Sequence, residues 1–322
     1  MEKQKVTINV FRFNAETDYL PHYDKFEIEV SKEEVVLDVL NRIKWEHDGS
    51  FTYRRSCRHG ICGSCAIKVN GRSTLACKER MIDMIELFGT ELTFDPVSKN
   101  RAVKDMVVDK SDFWKKHDSI IPYLVAEIDE HPESENIVPP NEAEKIDEAD
   151  YCIQCGCCYY ACPVVNEANE DYLGPAAFVK AYRFNADVRD ETKKERLKIV
   201  DKLGKGVWDC VKCYECTEAC PKELDPMSKI TKLHNQLFQE EVVQKNVASR
   251  HAVGFKKSIE KHGILDEGML VAYSEGCGVF KHIPEALAMW KKGKIVMPWE
   301  MPKSKKLDEI KKLIKISSTA KF

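Results

Sequence analysis

The chain has little of what most enzyme classes need. Across its 322 residues there is no GxGxxG after a strand pattern, no GxxxxGK followed by Ser or Thr, and no local Ser-His-Asp signature. A dinucleotide site, a phosphate loop and a nucleophilic triad are therefore not written in local motifs. No run approaches the roughly 18 to 20 consecutive apolar residues of a membrane span, so the chain is not expected to cross a bilayer alone. Charge of one sign is also missing, since 50 Lys plus Arg face 53 Asp plus Glu for a net −3. That balance offers no global attraction to nucleic acid, and no nucleic-acid partner is expected. The opening MEKQKVTINVF lacks an apolar stretch before a small-residue cleavage site, so no secretory signal is expected, and Arg54 with Arg55 is not an export signal. Cysteine, by contrast, is plentiful. Fourteen cysteines are too sparse over this length for a disulfide scaffold, yet all but one fall in three clusters, which without a secretory signal reads as metal ligation.

The organisation follows from periodicity. Short alternating runs, VTINVFRF from Val6 and KFEIEV from Lys25, are followed by VVLDVLNRIKWEH at helical spacing and by AIKVNG, with Asn70-Gly71 as a hairpin signal. They predict a small mixed sheet with one helix. Residues 129 to 150 carry nine acids against the single base Lys145, with Pro132, Pro139 and Pro140 interrupting, the composition of an exposed linker. Beyond Asp150 the spacing is helical, and short helices punctuated by cysteine loops are expected. The fold class is α+β: an N-terminal domain over 1–105, a connector and acidic linker over 106–140, an all-α domain over 141–245, and a helical extension over 246–322. From Trp290 to Phe322 there are ten lysines and three acids, with KKLDEIKKLIKI amphipathic, read first as a solvated terminal helix rather than a docking surface.

Three constellations carry chemistry. Cys57, Cys62 and Cys65 are spaced CxxxxCxxC, and Cys77 follows after eleven intervening residues, the plant-type [2Fe-2S] spacing. Gly60 and Gly63 let this loop take positive φ and bring amides close to the sulfurs. A structural zinc site is the plain alternative, but it favours paired CxxC knuckles far apart. His59 lies inside the loop and reads as an exposed residue, because a Rieske centre needs two histidines at other spacings. CIQCGCCYYACP and CVKCYECTEACP each fit CxxCxxCxxxCP, and the second repeats the first 58 residues later at all five positions, Cys152, Cys155, Cys158, Cys162 and Pro163 against Cys210, Cys213, Cys216, Cys220 and Pro221. When this run occurs twice, the fourth cysteine of each copy ligates the other cluster. One [4Fe-4S] is thus expected on Cys152, Cys155, Cys158 and Cys220, and a second on Cys210, Cys213, Cys216 and Cys162, or a [3Fe-4S] there if Cys213 is not a ligand. Two of the fourteen cysteines remain. Cys157 is expected to point away from the cluster and to pack; Cys277, in the glycine-flanked EGCGV, reads as a small buried residue, with a redox-active thiol as the alternative. A row of one-electron centres without a substrate site, and so with no catalytic residue, reads as a wire.

These residues resemble a known family. SCRHGICGSCA with NGRSTLAC, VKDMVVDKSDFWKK, CIQCGCCYYACP, YLGPAAFVKAYRFNADVRD and the final CxxxCP are similar to the iron-sulfur subunit of succinate dehydrogenases and fumarate reductases over roughly residues 1–240. The resemblance implies a β-grasp [2Fe-2S] ferredoxin domain followed by an α-helical ferredoxin domain. It also implies a flavoprotein partner containing FAD that interconverts succinate and fumarate, on the [2Fe-2S] side. At the far cluster it implies a quinone-side membrane subunit, in the setting of anaerobic respiration or the tricarboxylic acid cycle. The chain departs from the common members in having Cys213 available. It also lacks the tryptophan usual after the middle CP and the histidine usual after the first cysteine of the last run, having Pro163-Val164-Val165-Asn166 and Cys210-Val211 instead. With RHAVGFKKSIEKHGIL from Arg250, which resembles the tail of heterodisulfide reductase small subunits, these departures look like the group that pairs with a cysteine-rich subunit, the 8-methylmenaquinol:fumarate reductases. The implied location is peripheral on the inner membrane through partners, on the cytoplasmic side by default and periplasmic if co-exported. The competing readings are an adaptor of a thiol-dependent, heterodisulfide reductase-like enzyme and a freestanding ferredoxin.

Overall fold

The computed structural model of the chain describes residues 3–126, 135–296 and 300–319. Strand β1 (Lys3–Arg12) alternates, sending Val6, Ile8 and Val10 into the core as a period of two requires. It pairs antiparallel with β2 (His22–Ser31), with Val6 opposite Ile28, and the chain then turns into α1 (Val36–Arg42), which widens by one turn over Ile43–His47. Helix α1 buries Val36, Leu37, Val39 and Leu40. The hairpin of β3 (Ala66–Val69) and β4 (Arg72–Leu75) turns at Asn70 and Gly71, both with positive φ, the primed geometry that an Asn-Gly pair supplies. After α2 (Met81–Phe88), strand β5 (Glu91–Pro96) inserts parallel to β1 and antiparallel to β3, completing the order β2-β1-β5-β3-β4. The expectation of one helix in this sheet domain is corrected to two: Met81 and Met84 of α2 lie on one buried face, a helical spacing too short to stand out in an eight-residue segment.

A two-stranded ribbon of β6 (Ala102–Lys104) and β7 (Val107–Val108) leads to α3 (Ser111–Asp118). Residues 127–134, which include the start of the expected acidic linker, lie outside the described residues. The later part of the same acidic run is not linker but helix α4 (Pro140–Asp150), which starts on a proline and buries Ile146 and Ala149. Then come α5 (Cys157–Ala161), α6 (Pro175–Asn185), α7 (Lys193–Val200), α8 (Glu215–Glu218) and α9 (Pro226–Gln239), so no strand follows Asp150 among the described residues. The chain divides into two compact units. The first holds Met1–Val200 and Gly204–Gln236; the second holds Asp201–Leu203 and Leu237–Phe322. The second is built from α10 (Val247–His262), α11 (Glu267–Glu275), α12 (Ile283–Lys291) and α13 (Leu307–Thr319). Asn246 caps α10 by accepting from the Ser249 amide at 2.8 Å. No helix among the described residues is long and apolar enough to cross a membrane.

Arg196 of α7 closes the helical part of the first unit. Its guanidinium is fully buried and donates to the carbonyls of Ile120, Ile121 and Tyr123, to Asn185 Oδ1 at 2.8 Å and to Asp190 Oδ1 at 2.9 Å. One side chain thus ties the segment after α3 to α6 and α7. Burial pushes the Asp190 carboxyl up, but the hydrogen bond and charge of Arg196 outweigh it and hold the group below the usual carboxylate range. A depressed folded-state value stabilises the protein above the ordinary carboxylate range and is lost as pH falls through the lowered value. Replacing Arg196 by Met is expected to cost about 3 to 5 kcal/mol at neutral pH, because it strands a buried carboxylate. Urea unfolding of both proteins should also show the difference narrowing as pH falls below the ordinary carboxylate range toward the lowered Asp190 value.

Candidate functional site

Three groups of thiols are gathered by three loops. The first loop runs from Cys57 to Cys65, with Arg58, Gly60 and Gly63 at positive φ, so the backbone curls and turns its amides inward. The amides of His59 and Cys62 donate to Cys57 Sγ at 3.4 and 3.3 Å, and that of Gly60 donates to Cys77 Sγ at 3.2 Å. Amides from His59, Ile61 and Cys62 pull the Cys57 thiol down to about 6. Burial pushes Cys65 up to about 12, where it also meets the Cys77 thiol. Cys57 with Cys62 therefore forms an outer pair, and Cys65 with Cys77 an inner one. Cys77 is delivered from beyond β4, where the Ala76 amide bonds the Cys65 carbonyl at 3.1 Å. His59 is exposed, as expected, and contributes only its amide.

The two later loops share one backbone. Gln154 and Gly156 in the first copy, and Lys212 and Tyr214 in the second, all have positive φ at positions 58 residues apart. Each left-handed residue at 156 or 214 opens a short helix, α5 or α8. Helix α5 begins beside Cys158 and ends at Cys162, about 6 Å further along its axis, so the two thiols reach different places. Helix α8 does the same for Cys216 and Cys220. As a result Cys152, Cys155, Cys158 and Cys220 line one cavity, and Cys162, Cys210, Cys213 and Cys216 line another. Both are tight: the centre of a water-sized sphere can range over only about 20 Å³ in the first and about 10 Å³ in the second. Each donor set is four sulfurs ringing a volume, and among the described residues no three such side chains close on a single ion-sized point. Four thiols around a small cavity fit an iron-sulfur cubane, and the three of the first loop with Cys77 fit a binuclear cluster.

Electrostatics records the same neighbourhoods. Burial, then the charges of Cys155, Cys152 and Cys220, raises Cys158. Burial, then Cys210 and Cys162, raises Cys216 to about 12. Cys155 is the exception: a hydrogen bond from the Cys157 thiol lowers it to about 7. Cys157 is buried, as expected of a packing residue, and lies outside both cavity linings, but its thiol serves Cys155 as well. Cys277 is exposed, which corrects the expectation of a small buried residue. It follows Gly276, whose positive φ ends α11, and it sits on a 3-10 turn with no buried residue. Cys213 is exposed too, although it lines the second cavity.

The first loop presses on the first cavity. A Cβ at Gly63 would lie 2.8 Å from Cys155 Cα and 3.0 Å from the Ile153 carbonyl, so only glycine permits this approach. Helix α3 clamps the cubane loop of residues 152–162 from outside, through Lys116 Nζ to Tyr159 OH at 2.9 Å and Gln154 against His117 at 2.6 Å. Sequence spacing could not reveal these contacts, because Lys116 and His117 belong to no cysteine motif.

Comparison with known proteins agrees with this arrangement. Residues 7–115 match the family model of a 2Fe-2S iron-sulfur cluster binding domain, and residues 148–224 that of a 4Fe-4S dicluster domain. The chain is 36% identical over 237 residues to the fumarate reductase iron-sulfur subunit of Haemophilus influenzae, spanning 70% of this chain and 90% of that one. It is also 36% identical over 234 residues to the mitochondrial succinate dehydrogenase [ubiquinone] iron-sulfur subunit of Dictyostelium discoideum, spanning 71% and 81%. In fold it resembles a chain of the Mycobacterium smegmatis Sdh1 complex in the apo form, with a TM-score of 0.65 and 24% identity over 74% of this chain and 98% of that one.

The Gly63 contact is testable against a second glycine. Gly71 also has positive φ, but nothing lies within 4 Å of a Cβ there. Gly71→Ala should cost about 1 to 2 kcal/mol from backbone strain alone. Gly63→Ala should cost clearly more and bleach the visible absorbance of the holoprotein, as urea unfolding and optical spectra would record.

Proposed function

The chain belongs to the family of iron-sulfur subunits of fumarate reductases and succinate dehydrogenases, and we propose that it joins an FAD-containing flavoprotein to a cysteine-rich, quinone-side subunit. It is the electron-transfer subunit of an oxidoreductase complex, with a 2Fe-2S domain and a 4Fe-4S dicluster domain, and it works among other subunits rather than alone. We assign the [2Fe-2S] to Cys57, Cys62, Cys65 and Cys77. One [4Fe-4S] goes to Cys152, Cys155, Cys158 and Cys220, and a second to Cys210, Cys213, Cys216 and Cys162. The observation that carries this reading is the crossed lining of the two cavities, in which each cavity takes three thiols from one loop and one from the other.

Bound there, the clusters supply one-electron transfer, and the chain supplies everything that decides where and how readily it happens. Thiols hold the irons. Inward amides at His59, Gly60, Cys62 and Leu224 donate to sulfur, which stabilises extra negative charge. Apolar walls such as Ala176, Val179, Met227 and Ile230 keep water from the cavities. Cys213 at the second cavity favours a second [4Fe-4S] over a [3Fe-4S]. Together with the missing tryptophan and histidine, it supports pairing with a cysteine-rich partner of the 8-methylmenaquinol:fumarate reductase type. The proposed location is the membrane periphery through those partners.

Two variants test the assignment. In Cys213→Ser the second cluster should convert or be lost, while the [2Fe-2S] signal stays. Cys162→Ser should remove the cluster shared with Cys210 and Cys216, not the one at Cys152, Cys155 and Cys158. EPR of the reduced proteins reads both, and loss of the wrong cubane in Cys162→Ser would refute the crossing. Anaerobic co-purification of an FAD protein supports the partner reading. A chain that carries its clusters but brings down no flavoprotein would point to a freestanding ferredoxin.

A further inference from the structure

One cation outside the cysteine motifs stands between the first two sets of thiols. Lys110, at the turn into α3, donates from Nζ to the Cys155 carbonyl at 2.7 Å. That bond spans 45 residues and joins the sheet domain's ribbon to the first cubane loop. The ammonium also lies 5.8 Å from the centre of the Phe113 ring and 3.8 Å from where a Gly156 Cβ would stand. Around it the leading charged groups are the thiols of Cys155, Cys157 and Cys62, with Arg54 the competing cation; no carboxylate is among them. A half-buried ammonium whose hydrogen bond among the described residues goes to a single carbonyl is poorly compensated by that bond alone. With clusters bound, the ligating thiolates of Cys155 and Cys62 would be its counter-charge. A purely structural tie to one carbonyl could be made by an uncharged amide at far smaller cost.

Reduction of a cluster adds negative charge at a fixed place, and a nearby cation in a poorly polarisable surrounding favours the reduced form. We propose that Lys110 is a positioning and potential-setting residue of the electron path, pinning the Cys155 loop against the [2Fe-2S] loop and raising the reduction potential of the cluster beside it. Gly63 provides the close approach across the same junction, and the Cys157 thiol is a second donor to the same ligand. This inference rests on the cysteine assignment above.

The test is an EPR-monitored redox titration of the anaerobically purified holoprotein with Lys110 replaced by Met, Gln or Arg. In Lys110→Met and Lys110→Gln the midpoint of the cluster at Cys152, Cys155, Cys158 and Cys220 should fall. The reduction equilibrium should change at least tenfold, 59 mV for a one-electron couple. The cluster at Cys210 should stay put, and Lys110→Arg should keep the wild-type midpoint. Loss of the first cluster in both neutral variants but not in Lys110→Arg supports the same conclusion. An unmoved midpoint in Lys110→Gln, an equal shift at the second cubane, or loss of the cluster in all three variants would overturn the proposal. Wild-type protein without cubane signals would instead refute the cysteine assignment, and the Lys110 role with it.

Discussion

Gathering thiolate sulfur in one place is the constraint on which this architecture depends. Four thiols brought around a buried cavity resist ionisation, because burial and mutual repulsion both act against charge, as the raised values of Cys158 and Cys216 record. Iron-sulfur binding reverses that balance, so loading and folding of the cysteine loops are coupled. The short helices α5 and α8 are then a consequence. Each needs only enough length to separate one thiol from the next, and each is opened by a left-handed residue that the loop must supply.

The second consequence is proximity. The [2Fe-2S] loop belongs to the sheet domain and the first cubane loop to the helical one, yet Gly63 and Cys155 touch through backbone. Around them, α3 contributes Lys116 and His117, and the turn before it contributes Lys110, all directed at residues 154 to 159. Arg196 fixes the segment that follows α3. The stability of the helical part and the geometry of the electron path therefore draw on the same elements.

Much of this was legible in the sequence, and the reasons differ by residue. The 58-residue repeat, the CxxxxCxxC loop and the Asn70-Gly71 turn are local patterns whose physics acts within a few residues. Tyr214 is different: its counterpart Gly156 announces a left-handed turn, whereas a tyrosine there does not. Gly156 faces the Tyr160 ring, where a Cβ would lie at 2.9 Å, and Tyr214 is more than half exposed. Helix α2 was too short and α4 too acidic to register. Cys277 read as buried because small residues between glycines often are, but only tertiary packing decides that. Lys110 lies in a segment that carries the resemblance, but nothing local marks its role, since its meaning lies in a partner 45 positions away.

The most direct measurement is EPR of the anaerobically purified chain, as isolated and after dithionite reduction, with iron and sulfide quantified alongside. The account predicts no oxidised [3Fe-4S] signal in intact protein, and after reduction one [2Fe-2S] with two magnetically interacting [4Fe-4S] clusters. An oxidised [3Fe-4S] signal would contradict the role given to Cys213. A colourless, iron-free protein would contradict the account as a whole.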